Sequence, residues 1–216
     1  MQYAALGAYG LAAAIHLFAC ANRTQLKLRR ITKCFLMPLL ALCYVLLART
    51  VSPLVVAAIL SGFAGDVVLL MRPRRWAFPA GIAAFAAGHV FYIVSFLNAT
   101  PRFPAWYVFA LLGVVTVACA VLLIRALWKG IPKRLRPPGF AYMLIIGSMA
   151  SAALIFAFAG GSRFGWLAAL GGALFVASDT TLAIDAFHHP VHHRNVIVMS
   201  TYIAAQTLLV SALALV

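Results

Sequence analysis

The only acidic side chains in this chain of 216 residues are Asp66, Asp179 and Asp185, and none falls in an obvious polar connection. An ionised Asp near the middle of a membrane-spanning helix costs about 2.5–3.5 kcal/mol on insertion scales. Asp66 stands six residues before Arg72, about 9 Å from the end of its apolar run at 1.5 Å per residue. Asp179 stands nine residues before His188, roughly 13 Å in. Two carboxyls on different helices therefore share a depth and a side. An interhelical hydrogen bond in a membrane typically returns only about 0.6 kcal/mol. That is too little to offset two such insertions, so the pair is expected to work on one bound substrate. The chemistry open to it is acid–base chemistry, with one carboxyl giving a proton while the other stays ionised. Asp185 lies six positions from Asp179, about 240° round a helix, and is expected to face water or the neighbouring histidines.

Other polar residues recur at helical spacing. Phe85, His89, Tyr92 and Phe96 follow i, i+4, i+7, i+11 and form one stripe. Tyr202 and Gln206 are i, i+4, and Tyr202 lies seven residues past Asn195, about 10 Å deep and level with Asp66. His89, Tyr92, Tyr202 and Gln206 are thus candidate substrate-binding residues. Ser61, Gly62 and Gly65 precede Asp66, while Gly171, Gly172 and Ser178 precede Asp179. Small residues let helix backbones approach closely in a membrane, which would bring the two carboxyls together. A lone His16 reads as a packing or interface residue. The run His188-His189-Pro190-Val191-His192-His193 has the residue type for zinc or nickel. Pro190 breaks its register and no Cys or Glu stands near, so it reads as a hydrated turn and no metal site is assigned.

The elements that must carry these side chains follow from composition. Hydrophobic residues make up 65% of the chain and charged residues 9%, against about 45–50% and about 25% in soluble domains. A soluble enzyme and a disordered chain are both excluded. Apolar segments near spanning length run over Tyr3–Ala21, Cys34–Ala48, Pro53–Met71, Ala77–Leu97, Ala105–Leu127, Gly139–Ala159, Phe164–Phe187 and Val196–Val216. They are continuously apolar and lack ten-residue alternation, which favours helices over a barrel. The expected fold is all-α, a polytopic membrane protein with a bundle of eight transmembrane helices. Residues 1–216 are expected to form a single transmembrane domain with no separate soluble domain.

Seventeen Lys and Arg face three Asp, a formal charge of +14. Such a balance can signal nucleic acid, but here the basic residues sit in the short breaks between apolar segments. There they act as topology signals and as contacts for anionic membrane lipids, so no nucleic-acid partner is expected. The even-numbered connections hold Arg49, Arg102 and Arg163; the other fourteen lie in the odd ones or, like Arg125, within a turn of one. This asymmetry places Asn22–Lys33, Arg72–Trp76, Lys129–Pro138 and His188–Asn195 in the cytoplasm and both termini outside it. A bacterial inner membrane is the expected location. Leu17-Phe18-Ala19-Cys20 loosely resembles a lipoprotein cleavage site, but Met1-Gln2-Tyr3 lacks a basic n-region and the first helix is expected to be retained. Cys20, Cys34, Cys43 and Cys119 show no CxxC spacing and read as small hydrophobes.

Several membrane enzymes and receptors are excluded by their motifs. Lys27, Lys33, Lys129 and Lys133 lie in connections or at helix edges, so no buried lysine is expected to hold retinal. Gly62-Phe63-Ala64-Gly65-Asp66 lacks the Gly-x-Gly-Asp of intramembrane aspartyl proteases, and there is no Gly-x-Ser-x-Gly or His-Glu-x-x-His. The chain instead resembles the YhhN-like lysoplasmalogenases, small membrane proteins of eight helices. The resemblance rests on Gly65-Asp66-Val67-Val68-Leu69-Leu70-Met71, Gly88-His89-Val90-Phe91-Tyr92, Gly172-Ala173-Leu174-Phe175-Val176-Ala177-Ser178-Asp179 and Tyr202-Ile203-Ala204-Ala205-Gln206. Lys33 also fits, although Lys33-Cys34 stands where the family is expected to have Lys-Pro. The match covers most of the chain from about residue 30.

The resemblance implies hydrolysis of the vinyl-ether bond of lysoplasmalogens to a fatty aldehyde and a glycerophospho-alcohol. Asp66 and Asp179 would be catalytic, by the logic that suits paired carboxyls to the oxocarbenium-like transition states of glycosidases. Tyr202, Gln206, Tyr92 and His89 would position water or substrate, and Lys33 with nearby arginines would meet the phosphate of the lysophospholipid. The reaction requires no metal or organic cofactor. The competing reading is a small proton-coupled lipid or metabolite transporter or flippase using the same aspartates, without an inverted repeat to support it.

Overall fold

The computed structural model describes residues 1–22, 24–71, 74, 76–159 and 164–215, and among these residues there is no strand. In chain order the helices are α1 (Gln2–Ala21), α2 (Leu26–Leu47), α3 (Pro53–Leu70), α4 (Ala77–Ala99), α5 (Trp106–Leu127), α6 (Arg136–Phe158), α7 (Gly165–Phe187) and α8 (Arg194–Ala214). A 3-10 turn at Lys133–Leu135 leads into α6. All eight helices are long and apolar enough to cross a membrane. In hydrocarbon each backbone N–H and C=O must find its partner within the protein, and a helix supplies it within the segment itself. The fold is all-α and the chain is an integral, multi-pass membrane protein. Proline in the first turn of α3 and of α6 marks their starts, where its missing N–H has no helical partner to lose.

Most boundaries agree with the hydropathy reading to within three residues, and α2 does not. It begins at Leu26 rather than Cys34, so most of the expected basic connection Asn22–Lys33 is helical. Lys and Arg are good helix formers, and their long stems lie along an apolar surface while the charged heads reach a polar space. Hydropathy alone records the charges and ends the segment early. The expectation that all four lysines occupy connections or helix edges is therefore corrected: Lys33 lies well inside α2. Arg23, Arg72, Arg75 and Arg163, and Val216 at the expected end of the eighth segment, lie outside the described residues.

Chain neighbours pack as antiparallel pairs, α1 on α2, α3 on α4 and α7 on α8, and the pairs are joined through α2–α3, α4–α6 and α6–α7. One cluster of buried side chains, including Tyr44, Tyr92, Phe96, Phe156 and Phe175, runs through every helix except α5. α5 packs mainly on α6, and its buried Ile124 and Leu127 join Ile131 in a separate small cluster. It stands at the periphery and forms one wall of the cavity described below. Close helix approach has a visible cause at Gly172, where a Cβ would lie 3.0 Å from the Cα of Ala150. A side chain there would push α7 off α6. Asp179 is two turns further along the same face of α7, so this contact sets its distance from α6.

Candidate active site

Asp66 is near the cytoplasm-proximal end expected for α3, one turn before Leu70, and is only 3% exposed. Both of its carboxyl oxygens are engaged. The Lys33 ammonium of α2 lies 3.0 Å from Oδ1, and the Tyr202 hydroxyl of α8 donates to Oδ2 at 3.0 Å. Gly62, one turn earlier on α3, makes room for this: a Cβ there would meet Gln206 Nε2 at 3.2 Å and Tyr202 Oη at 3.4 Å. Lys33 and Tyr202 were both expected at the site, and the structure brings both onto one carboxyl.

Asp179 is half-buried on α7 and has different company. The Tyr142 hydroxyl of α6 donates to its Oδ2. Behind Tyr142 stands His89, whose Nε2 is 3.2 Å from the same hydroxyl. Next to Asp179 in the chain, the Ser178 hydroxyl donates to the Val198 carbonyl at 3.0 Å and ties α7 to α8. Phe175 lies between the two groups, with its ring 4.5 Å from that of His89 and 5.4 Å from that of Tyr202.

Asp66 and Asp179 line the same cavity, which has a volume of about 720 Å³. Lys33, Tyr142 and Tyr202 line it with them. Its wall on α5 is apolar, formed by Leu112, Val115 and Leu123 among others, and Arg29, Arg30 and Arg194 also border it. The space therefore combines two carboxyls, an apolar flank and a cationic rim. A single-chain amphiphile that carries a phosphate in its head group matches that distribution.

Three of the expected substrate-binding residues are placed elsewhere. His89, Tyr92 and Gln206 are each about 1% exposed and are not part of the cavity wall. The Tyr92 hydroxyl donates to Gln206 Oε1 at 2.6 Å, a link between α4 and α8 behind Tyr202. The stripe on α4 is real, but only its first member, Phe85, reaches the cavity. The others face inward because α4 is covered by α3, α6 and α8. Tyr142 was missed by sequence reasoning. No polar residue accompanies it at helical spacing on α6, and a tyrosine near a helix end ordinarily reads as an interfacial anchor.

The remaining candidates fall outside the carboxyl pair. His16 does border the cavity, where Nδ1 is 2.8 Å from Thr32 Oγ1 and Nε2 is 3.4 Å from Cys20 Sγ. The Asp185 side chain is 18% exposed, beside the turn that carries the histidines. It accepts from the Val191 N–H at 3.1 Å and pairs with Arg194 at 2.9 Å, which braces the turn between α7 and α8. His193 adopts a left-handed conformation there, with φ 55°. His188, His189, His192 and His193 are all exposed on this turn. Among the described residues no group of three or more His, Cys, Asp or Glu side chains is placed to hold a metal ion. The four cysteines are free.

The chain is similar to known proteins. The chain matches the model of the YhhN family over residues 28–213. It is 36% identical over 153 residues to lysoplasmalogenase TMEM86B of Sus scrofa, a match covering 70% of this chain and 59% of that protein. It is 33% identical over 175 residues to lysoplasmalogenase TMEM86B of Mus musculus, covering 78% and 70%, and 34% identical over 152 residues to that of Homo sapiens, covering 70% and 59%. The chain thus spans less than two thirds of the length of the pig and human proteins. No solved structure matches it significantly. With the family match running from α2 to the last turns of α8, and so through both aspartate helices, the chain belongs to the YhhN family.

Proposed function

We propose that this chain is a membrane hydrolase that cleaves the vinyl-ether bond of lysoplasmalogens, with Asp66 and Asp179 as an acid–base pair. The observation that carries the reading is that two intramembrane carboxyls from different helices line one cavity with an apolar flank and a cationic rim. Its relatives among the lysoplasmalogenases support it. A vinyl ether is broken by protonating its alkene carbon, which leaves a cation shared between the neighbouring carbon and the ether oxygen. Water adds to that carbon and loses a proton. The resulting hemiacetal collapses to a fatty aldehyde, and its hydroxyl proton ends on the released glycerol oxygen. One carboxyl is needed to deliver the first proton. An ionised one stabilises the cation electrostatically and orients the water, as in glycosidases. The hydrocarbon chain lies along α5, and the phosphate meets Arg29, Arg30 and Arg194. The reaction as written uses no cofactor.

Purified protein in detergent, given a lysoplasmalogen, is expected to release stoichiometric aldehyde and glycerophospho-alcohol. Intact protein that releases none, while moving a labelled lysolipid across a vesicle membrane, would return the aspartates to a transport role.

The same reading sets an orientation. Arg29, Arg30 and Arg194 border the cavity near the ends of α2 and α8 that adjoin odd-numbered connections. The excess of positive charge in those connections points them to the cytoplasm, so the cavity opens toward the cytoplasmic leaflet and both termini face away from it. A fluorescent reporter that matures only in the cytoplasm is expected to be dark when fused after Val216. A bright fusion reverses the orientation.

A further inference from the structure

The two carboxyls differ in what surrounds them, and that difference bears on their roles in the reaction proposed above, on which this inference rests. Asp66 has an ammonium on one oxygen and a phenolic O–H on the other. Every partner is a donor, and each favours the ionised carboxylate over the protonated one. Asp179 has no ion pair among the described residues. One phenolic O–H reaches Oδ2, while Oδ1 takes no hydrogen bond from any described residue and belongs to a side chain that lines the cavity.

Tyrosine has one hydroxyl proton, and here it goes to Asp179 Oδ2. Toward His89 the same oxygen must then accept, so Nε2 carries the ring proton. That leaves Nδ1 as a bare lone pair, and Nδ1 is the one buried side-chain polar atom among the described residues without a hydrogen-bond partner. The reverse arrangement would have Asp179 donating to Tyr142 and Tyr142 donating to Nε2. It would leave an N–H at Nδ1, buried with no acceptor. An orphaned donor is the rarer and more unfavourable of the two. The direction of the chain is therefore His89 to Tyr142 to Asp179.

We infer that Asp179 is the proton-donating carboxyl, and that Tyr142, held in place by His89, is the residue that keeps its proton on the oxygen facing substrate. With Oδ2 occupied by a donor, the acidic hydrogen resides on Oδ1. In the first step the Oδ1–H bond breaks and the alkene electron pair takes that proton onto carbon. The carboxylate left behind keeps the Tyr142 hydrogen bond, which is stronger to an anion than to a neutral acid. The cation formed faces the Lys33-paired Asp66. When water adds, its proton returns to Asp179 and restores the acid. His89 is on this reading a positioning residue, one side chain removed from the lipid.

The test compares aldehyde release by the purified wild type, Tyr142→Phe, His89→Gln and His89→Met, each checked by gel filtration in detergent. Tyr142→Phe removes only the hydroxyl and is expected to lower kcat roughly ten- to a hundredfold, as loss of orientation typically does, with KM within about twofold of wild type. His89→Gln offers an amide N–H near the former Nε2 and is expected to keep most of kcat. His89→Met fills the same space without a donor and is expected to fall with Tyr142→Phe. A folded Tyr142→Phe protein with wild-type kcat overturns the inference while leaving the hydrolase reading standing. Equal rates for His89→Gln and His89→Met do the same, and decide the matter even if Tyr142→Phe fails to fold. An inert wild type removes the hydrolase reading, and this assignment with it.

Discussion

Asp66→Asn and Asp179→Asn are each expected to lower lysoplasmalogen turnover by about 10²–10⁴-fold, the usual contribution of general acid–base catalysis. Asparagine keeps the shape of the side chain and part of its hydrogen bonding. It removes the negative charge that Lys33 faces on α3, and it removes the transferable proton on α7. The two carboxyls serve successive parts of one reaction in one cavity, so their losses overlap instead of multiplying. The double variant is expected to be little worse than the poorer single one. Asp185→Asn is the control: its carboxylate holds the α7–α8 turn through Arg194 and the Val191 N–H and does not line the cavity, so most activity should remain. The measurement is aldehyde release by these variants, with folding followed by gel filtration. A well-folded single variant at Asp66 or Asp179 with near-normal turnover would end the paired-carboxyl mechanism.

Lys33→Met is expected to weaken the fold as well as the reaction. Asp66 is almost fully buried, and without the ammonium its charge has, among the described residues, only the Tyr202 hydroxyl for compensation. Breaking a buried ion pair by removing one partner typically costs about 3–5 kcal/mol. The Lys33 side chain keeps 18% of its exposure, which puts this pair toward the lower end of that range. Removing both charges is a different matter, since a neutral pair of similar shape leaves no stranded ion. Lys33→Met combined with Asp66→Asn is therefore expected to regain most of the lost thermal stability and none of the activity. Thermal unfolding in detergent beside the aldehyde assay separates the two quantities. If Lys33→Met melts with the wild type, the pair contributes nothing to stability and Lys33 serves the substrate alone.

The helices and the carboxyl pair were legible because both are local properties of the chain. A segment in hydrocarbon must satisfy its own backbone, so an uninterrupted apolar run specifies a helix whatever surrounds it. The expense of burying an aspartate likewise belongs to the residue and its depth. The start of α2 escaped the same reasoning because hydropathy penalises Lys27, Arg29, Arg30 and Lys33 although each suits a helix. The partners of the carboxyls are of another kind. Lys33 meets Asp66 across α2 and α3, Tyr142 meets Asp179 across α6 and α7, and His89, Tyr92 and Gln206 stand behind the cavity wall rather than on it. A soluble helix reveals its inward face by alternating apolar and polar sides. These helices are apolar nearly all round, so the sequence by itself determined what each one carries and how deep. Only the packing of one helix on another, through close contacts such as Gly172 against Ala150, decided which way each one turns.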